Sequence, residues 1–150
     1  MEDDDLVAVC DFCLQPIPDG EGMVEVDIAA AERALKRWRA RSESDLSAVF
    51  RTTSGARPAM WVTRHADCGI SPRFAITIAV HRIRTWTDLL RWGVHLADKP
   101  YIQATDWHDL VERALVPRMA AVSGILPRRP RPLAGGPIGA PGLREPPAGE

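Results

Sequence analysis

Short apolar stretches bounded by turn residues mark the strands that the chain is expected to form. Residues 23–28 alternate, with two valines and an isoleucine on one side, which predicts a half-buried strand. Apolar runs at 6–9 and 59–64 predict two further strands. The longest strand signal covers 74–83, and we expect that strand to lie at the centre of the sheet.

Residues 29–41 are strong helix formers and carry an apolar stripe at helical spacing. The stripe predicted to face the core consists of Ala31, Ala34, Leu35 and Trp38. The remaining positions of this helix are largely basic, so its other face is expected to be strongly positive.

Two more helices are predicted in the second half of the chain. The first begins at Thr85, where Asp88 completes a capping-box pattern, and runs to about Lys99 before Pro100 stops it. Its predicted buried stripe is Trp86, Leu89, Leu90, Gly93, Leu96 and Ala97. The second has a start signal at 105–106 and continues to about Met119.

Two spaced pairs of metal-ligand residues interrupt this pattern of strands and helices. Cys10 and Cys13 are separated by two residues, and so are His65 and Cys68. Three sulfurs and one imidazole form the ligand set of a closed, tetrahedral, structural Zn²⁺ site. Two alternatives stay open: three buried thiols beside an ordinary histidine, and a redox-active CxxC pair.

Combining the elements with the ligand pairs predicts an α+β domain over residues 6–122. We expect a small antiparallel sheet with a zinc-knuckle site of the zinc-ribbon or treble-clef-like kind. One helix is inserted between the knuckles, and two helices follow. Strands 6–9 and 23–28 are expected to form a hairpin whose tip holds half the site. Residues 1–5 are predicted to be a flexible acidic start, and the Pro- and Gly-rich segment 123–150 a disordered tail.

Composition narrows the class of protein. The chain has 150 residues, 45% hydrophobic and 26% charged, as in a globular domain. No apolar run is long enough to predict a membrane span, and the acidic start is unlike a signal peptide. Three cysteines cannot all pair in disulfides, which favours a reducing compartment. We therefore expect a cytoplasmic protein of a bacterial host cell, without membrane contact.

Charge is unevenly distributed although the net charge is only −1. Residues 1–28 hold nine acids and no base. The helix at 29–41 carries a basic cluster, a candidate for tracking nucleic-acid phosphates. Its members are Arg33, Lys36, Arg37, Arg39 and Arg41. The alternative is an ordinary solvated helix face whose Arg stems pack on apolar surface.

The remaining candidates point to binding more than to catalysis. Trp92 lies off the main stripe of its helix, so it is predicted either to anchor a partner or to cover the following helix. His95 lies one turn from Arg91 and one from Lys99 and is predicted to be exposed, which makes Trp92 and His95 the candidate partner-contact residues. No catalytic motif or phosphate-cradling glycine loop is present in the sequence. We expect a non-enzymatic, zinc-binding accessory or regulatory protein, acting as a protein-interaction adaptor or inhibitor without a small-molecule substrate. The alternative is a transcription-regulatory, DNA-binding zinc protein that uses the basic helix.

These motifs resemble a group of small proteins with a CxxC…HxxC metal knuckle. The matching stretches are the knuckle at 10–22, the run from Trp61 to Cys68, and the helical segments at 82–99 and 105–107. The group is similar across about residues 6–116 and occurs in actinobacteria and their phages or integrative elements. The resemblance implies a metal-binding knuckle fold and carries no established activity.

Overall fold

The computed structural model describes residues 5–44, 57–116 and 121–128. The described part of the chain forms an α+β fold with three α-helices and two small antiparallel sheets, whereas the sequence predicted one sheet. The strands are β1 Leu6–Val9, β2 Gly22–Asp27, β3 Val62–His65, β4 Ala75–Ala79 and β5 Gly124–Pro127. The helices are α1 Ile28–Ser44, α2 Trp86–Ala97 and α3 Trp107–Leu115. Two 3-10 turns, Val80–Arg82 and Pro100–Ala104, precede α2 and α3 respectively.

The three-stranded sheet has the order β3-β2-β4, with both pairs antiparallel. The prediction that the strand at 74–83 is central is therefore wrong: β4 ends at Ala79, lies at an edge, and gives way to a 3-10 turn. β2 is central, and its consecutive residues Val24, Glu25 and Val26 are all buried. Burial on both faces is what a central strand requires. The polar Glu25 made β2 resemble a one-sided strand in the sequence.

The second sheet pairs the first strand with the last one described. β1 and β5 are antiparallel, with Leu6 opposite Pro127 and Val9 opposite Gly124. This corrects two expectations: β1 and β2 do not form a hairpin, and the domain does not end at 122. Ile125 is buried in the core and supplies the apolar contact that holds β5. The rest of the predicted disordered tail, and residues 1–4, lie outside the described residues.

Helix α1 begins at a side-chain cap that the sequence analysis did not identify. The Asp27 Oδ1 accepts hydrogen bonds from the backbone N–H groups of Ala29 at 2.9 Å and Ala30 at 3.2 Å. The predicted core residues Ala31, Ala34 and Leu35 are buried. Trp38 is not, with 54% of its surface exposed, because it lies at a hollow also lined by Arg57, Pro58, Gln103 and Ala104.

Helix α2 begins at the predicted capping box. The Thr85 Oγ1 accepts a hydrogen bond from the Asp88 N–H at 3.1 Å, and the Asp88 Oδ2 accepts one from the Thr85 N–H at 3.2 Å. Leu89 and Leu96 are buried as predicted, whereas Leu90 is exposed. The apolar stripe is thus narrower than the one expected, and the solvent-facing side of α2 carries apolar residues.

A tryptophan pair joins α3 to the segment that leads into β3. The rings of Trp61 and Trp107 meet edge to face with centroids 5.0 Å apart. The Trp61 N–H donates to Asp106 Oδ1 at 2.6 Å, and its indole N–H donates to Thr105 Oγ1 at 3.1 Å. These contacts fix the start of β3 and, with it, the position of His65 at its end. The predicted strand 59–64 is shorter and later than expected, with Ala59 making an isolated bridge.

Among the helices within the described ranges, none combines the length and apolarity needed to cross a membrane.

Candidate metal centre

The structure brings together the four residues that the sequence predicted as metal ligands. One ligand atom from each of Cys10, Cys13, His65 and Cys68 lies within 4.8 Å of all the others. The His65 Nδ1 is 3.4 Å from the Cys13 Sγ and 3.8 Å from the Cys68 Sγ. A sulfur and a nitrogen bound to one tetrahedral zinc are about 3.5 Å apart, given bonds near 2.3 and 2.0 Å. The cluster can therefore hold a metal ion with little rearrangement.

The first knuckle is a tight turn that follows β1 directly. The Leu14 N–H donates to the Cys10 carbonyl at 3.0 Å, and the Cys10 N–H donates to the Gln15 carbonyl at 2.9 Å. Leu14 adopts a left-handed conformation with φ of 60°. Cys10 is fully buried and belongs to the hydrophobic core, whereas Cys13 is exposed. The turn thus places one sulfur inside the fold and one at its surface.

The second knuckle is tied to the first by hydrogen bonds and by one close contact. The Asp11 Oδ2 accepts from the Thr63 N–H at 2.7 Å, and the Asp11 N–H donates to the Thr63 carbonyl at 2.8 Å. The Phe12 ring covers Gly69, where a Cβ atom would lie 2.8 Å from that ring. Gly69 also has φ of 76°, so both space and backbone conformation favour glycine there.

The His65 ring is oriented by its second nitrogen. The Nε2 lies 3.2 Å from the Pro16 carbonyl oxygen, which accepts a hydrogen bond only when Nε2 carries the proton. In this tautomer the Nδ1 has a free lone pair, and it is the Nδ1 that faces the sulfurs. Metal-binding histidines are commonly fixed by such a carbonyl contact.

The protonation of the cluster suits a cation that binds thiolates. Burial opposes ionisation of Cys10, but backbone hydrogen bonds from Cys13, His65 and Phe12, together with the His65 side chain, lower its pKa to about 6. Burial and hydrogen bonds with the other two thiols raise the pKa of Cys68 to about 11. The hydrogen bond with Cys10 raises the pKa of His65, against a smaller effect of burial. A divalent ion would displace the remaining protons.

A buried arginine supports the second knuckle, and sequence reasoning missed it. Arg64 is 3% exposed, and its Nε donates to Glu25 Oε1 at 2.6 Å. Its Nη1 donates to the carbonyl oxygens of His65, Ala66 and Cys68 at 3.0–3.1 Å. Its Nη2 contacts Ser71 Oγ. Glu25 and Arg64 each interrupt an apolar run, and both runs were predicted to be strands of one sheet. Two opposite charges placed in this way were the signal that could have identified the pair.

The five basic residues predicted to contact nucleic acid are all exposed on α1, a helix that carries none of the four candidate metal ligands. The Arg33 Nη2 lies 3.9 Å from Asp27 Oδ2, a weak surface pair at the start of the helix. The helix therefore presents Lys36, Arg37 and Arg39 to solvent as the sequence suggested.

The two residues predicted to contact a partner lie together on α2. The rings of Trp92 and His95 meet edge to face, 5.5 Å between centroids. Trp92 is half-buried against the core, while His95 is exposed.

Comparison of the chain with protein-family models, curated proteins and solved structures found no match in any of the three searches.

Proposed function

We propose that this protein is a non-enzymatic accessory or regulatory protein whose fold is held by one structural Zn²⁺. The observation that carries the proposal is the convergence of four ligand atoms within 4.8 Å, three of them sulfur. Sulfur-rich sets with one imidazole favour zinc over the hard cations, which prefer oxygen. Cys10, Cys13, His65 and Cys68 would hold the ion.

A structural role follows from the number of protein ligands. Four side chains complete a tetrahedron, so no position remains for water or substrate. This ligand arrangement supports a clasp that joins the chain near residue 10 to the chain near residue 65.

Metal content tests the zinc proposal directly. We expect native mass spectrometry of freshly purified protein to give one zinc per chain, and Cys68→Ser to lose it. His108→Asn removes an exposed imidazole outside the centre and should keep the ion. Protein that carries no zinc when purified, or a Cys68→Ser variant that retains it, contradicts the proposal.

We further propose that the macromolecule bound is a protein, with the chain acting as an adaptor or inhibitor. Large apolar side chains stand exposed on both knuckles: Phe12 at 57%, Leu14 at 51% and Ile70 at 94%. Exposed apolar groups clustered on one part of a surface favour a protein contact. The net charge of −1 supports this choice over general attraction to nucleic acid.

The nucleic-acid alternative is favoured by the exposed basic face of α1, which could track phosphates. The two proposals differ in the surface that matters. A protein partner is expected to be lost when Leu14 and Ile70 are changed together to Ser, and kept when the exposed Leu90 of α2 is changed to Ser.

Binding to random duplex DNA separates the alternatives. For an adaptor, we expect no binding at about 50 mM salt, where phosphate contacts are strong. The nucleic-acid function would be established instead by three results together. The protein binds duplex DNA at that salt, added salt weakens the binding, and the double variant Arg37→Gln with Arg39→Gln no longer binds.

A further inference from the structure

A groove of about 660 Å³ lies beside α2, in a part of the fold that the metal centre does not use. Its lining residues are His81, Arg82, Asp88, Arg91, Trp92 and His95. Four of the six come from one face of α2, since residues at spacings of three, four and seven share a helix face. The other two come from the 3-10 turn between β4 and α2.

A hydrogen bond between the two walls fixes the shape of the groove. The Trp92 indole N–H donates to the Arg82 carbonyl at 3.2 Å, which ties α2 to the turn that carries His81 and Arg82. Trp92 also packs against the core, so its ring is held in place. The floor of the groove is thus built before any ligand binds, which lowers the entropic cost of binding.

The groove is positively charged where a ligand would enter. Arg82 and Arg91 carry two positive charges against the single carboxylate of Asp88. That carboxylate is already used, because its Oδ2 accepts hydrogen bonds from the backbone N–H groups of Arg84 and Thr85 at the start of α2. Its Oδ1 lies 3.8 Å from the Arg91 Nη1, so two arginines and one carboxylate leave the lining with one formal positive charge.

We propose that this groove binds a nucleotide, with the phosphate at Arg82 and Arg91 and the base against the ring system of His81, Trp92 and His95. Guanidinium groups bind phosphate with paired, charge-assisted hydrogen bonds. Aromatic rings supply stacking surface that accepts any base. The volume lies within the range of small-ligand sites. The nucleotide can be free or one unit of a single strand, and both carry the same phosphate and base.

This proposal revises the expectation that the protein binds no small molecule, and it does not depend on zinc or on a protein partner. It also assigns Trp92 and His95 a ligand different from the protein contact that the sequence suggested. A variant lacking the ligand-binding charges should keep its metal, so metal content measured on the same samples separates failure of this proposal from failure of the zinc proposal.

The test is a titration of the full-length, ¹⁵N-labelled protein with AMP. Amide chemical shifts locate the binding site, and calorimetry measures the affinity. AMP is expected to shift amides of residues 80–95, and the double variant R82Q/R91Q to bind at least about tenfold more weakly. The matched control R57Q/R73Q removes the same charge from exposed positions that do not line the groove, and it should bind AMP within about twofold of the unchanged protein.

Three further probes complete the experiment. Inorganic phosphate and adenosine are each expected to bind more weakly than AMP, because phosphate lacks the contacts with the rings and adenosine lacks those with the arginines. A short oligodeoxythymidine that binds more tightly than AMP assigns the site to single strands, and one that binds more weakly assigns it to free nucleotides. The proposal is overturned if AMP leaves residues 80–95 unshifted at millimolar concentration, if phosphate alone binds as tightly as AMP, or if R82Q/R91Q binds like the unchanged protein.

Discussion

Cys68→Ser, or removal of the metal by a strong chelator, is expected to lower the melting temperature by at least about 9 °C, since each kcal/mol lost shifts it by about 3–4 °C in a domain of somewhat more than 100 residues. Bound zinc contributes of order 10 kcal/mol to folding in small zinc modules, comparable with the whole stability of a typical domain. We expect loss of the metal to lower the free energy of unfolding by more than about 3 kcal/mol here. The loss should stay below the full zinc contribution, because the apolar core outside the centre remains.

Cys68 is the suitable position for this experiment because it is only half-buried. Cys10 is fully buried among apolar residues, so a serine there would also leave a hydroxyl in the core and confuse the two effects. His65→Asn removes the nitrogen ligand and should reproduce the Cys68→Ser result.

The measurement is thermal unfolding followed by circular dichroism, with and without chelator. His108→Asn serves as the control, because it removes an exposed imidazole and should melt normally and still respond to chelator. A melting temperature that chelator does not change would mean that the four residues hold no metal of structural importance.

Arg64→Met is expected to destabilise the protein by about 3–5 kcal/mol, the usual cost of leaving a buried charge without its partner. The variant leaves the Glu25 carboxyl group in the core without its arginine, and among the described side chains Ser71 remains to donate to it. It also removes the donor shared by three carbonyl groups of the second knuckle. Urea unfolding measures the change.

Arg33→Gln provides the matched control, since Arg33 also faces a carboxylate but at 3.9 Å and on the surface. Its cost in unfolding free energy should stay below about 1 kcal/mol.

Arg64→Lys keeps the charge yet cannot spread its donors over Glu25 and the knuckle. We expect it to weaken zinc binding by about 10–100-fold, as changes behind metal ligands do.

A double variant, E25L/R64M, distinguishes support of the knuckle from simple charge pairing. Replacing both members of an isolated buried pair by apolar residues is often neutral. Here the carbonyls of Ala66 and Cys68 would still lose their Arg64 donor, while that of His65 would keep the Cys68 N–H, so a loss of about 1–3 kcal/mol should remain. A double variant as stable as the unchanged protein would show that Arg64 serves only Glu25.

Several features could be predicted because they depend on residues close together in the chain. The Thr85–Asp88 capping box spans four residues, and backbone geometry alone places those groups in contact. The paired spacing of Cys10 with Cys13 and of His65 with Cys68 predicted the four residues that the structure brings together. The buried positions of α1 and the α+β class followed from periodicity in the same way.

Other features depended on which distant segments meet, and periodicity does not contain that information. The pairing of β1 with β5 joins residues about 120 apart, and the apolar run at 124–126 resembled the start of the Pro-rich segment. The central position of β2 was hidden because Glu25, polar in the sequence, is buried by Arg64 from another strand.

The sequence by itself determined much of the local secondary structure and which four residues form the candidate metal centre. Only the tertiary structure decided how they are supported: the tautomer of His65 fixed by Pro16, the Arg64 bonds behind the second knuckle, and the groove closed by Trp92. Each of these is a contact to a backbone carbonyl. A carbonyl is present at every residue, so sequence alone gives no sign of which one a side chain will reach until packing brings them together.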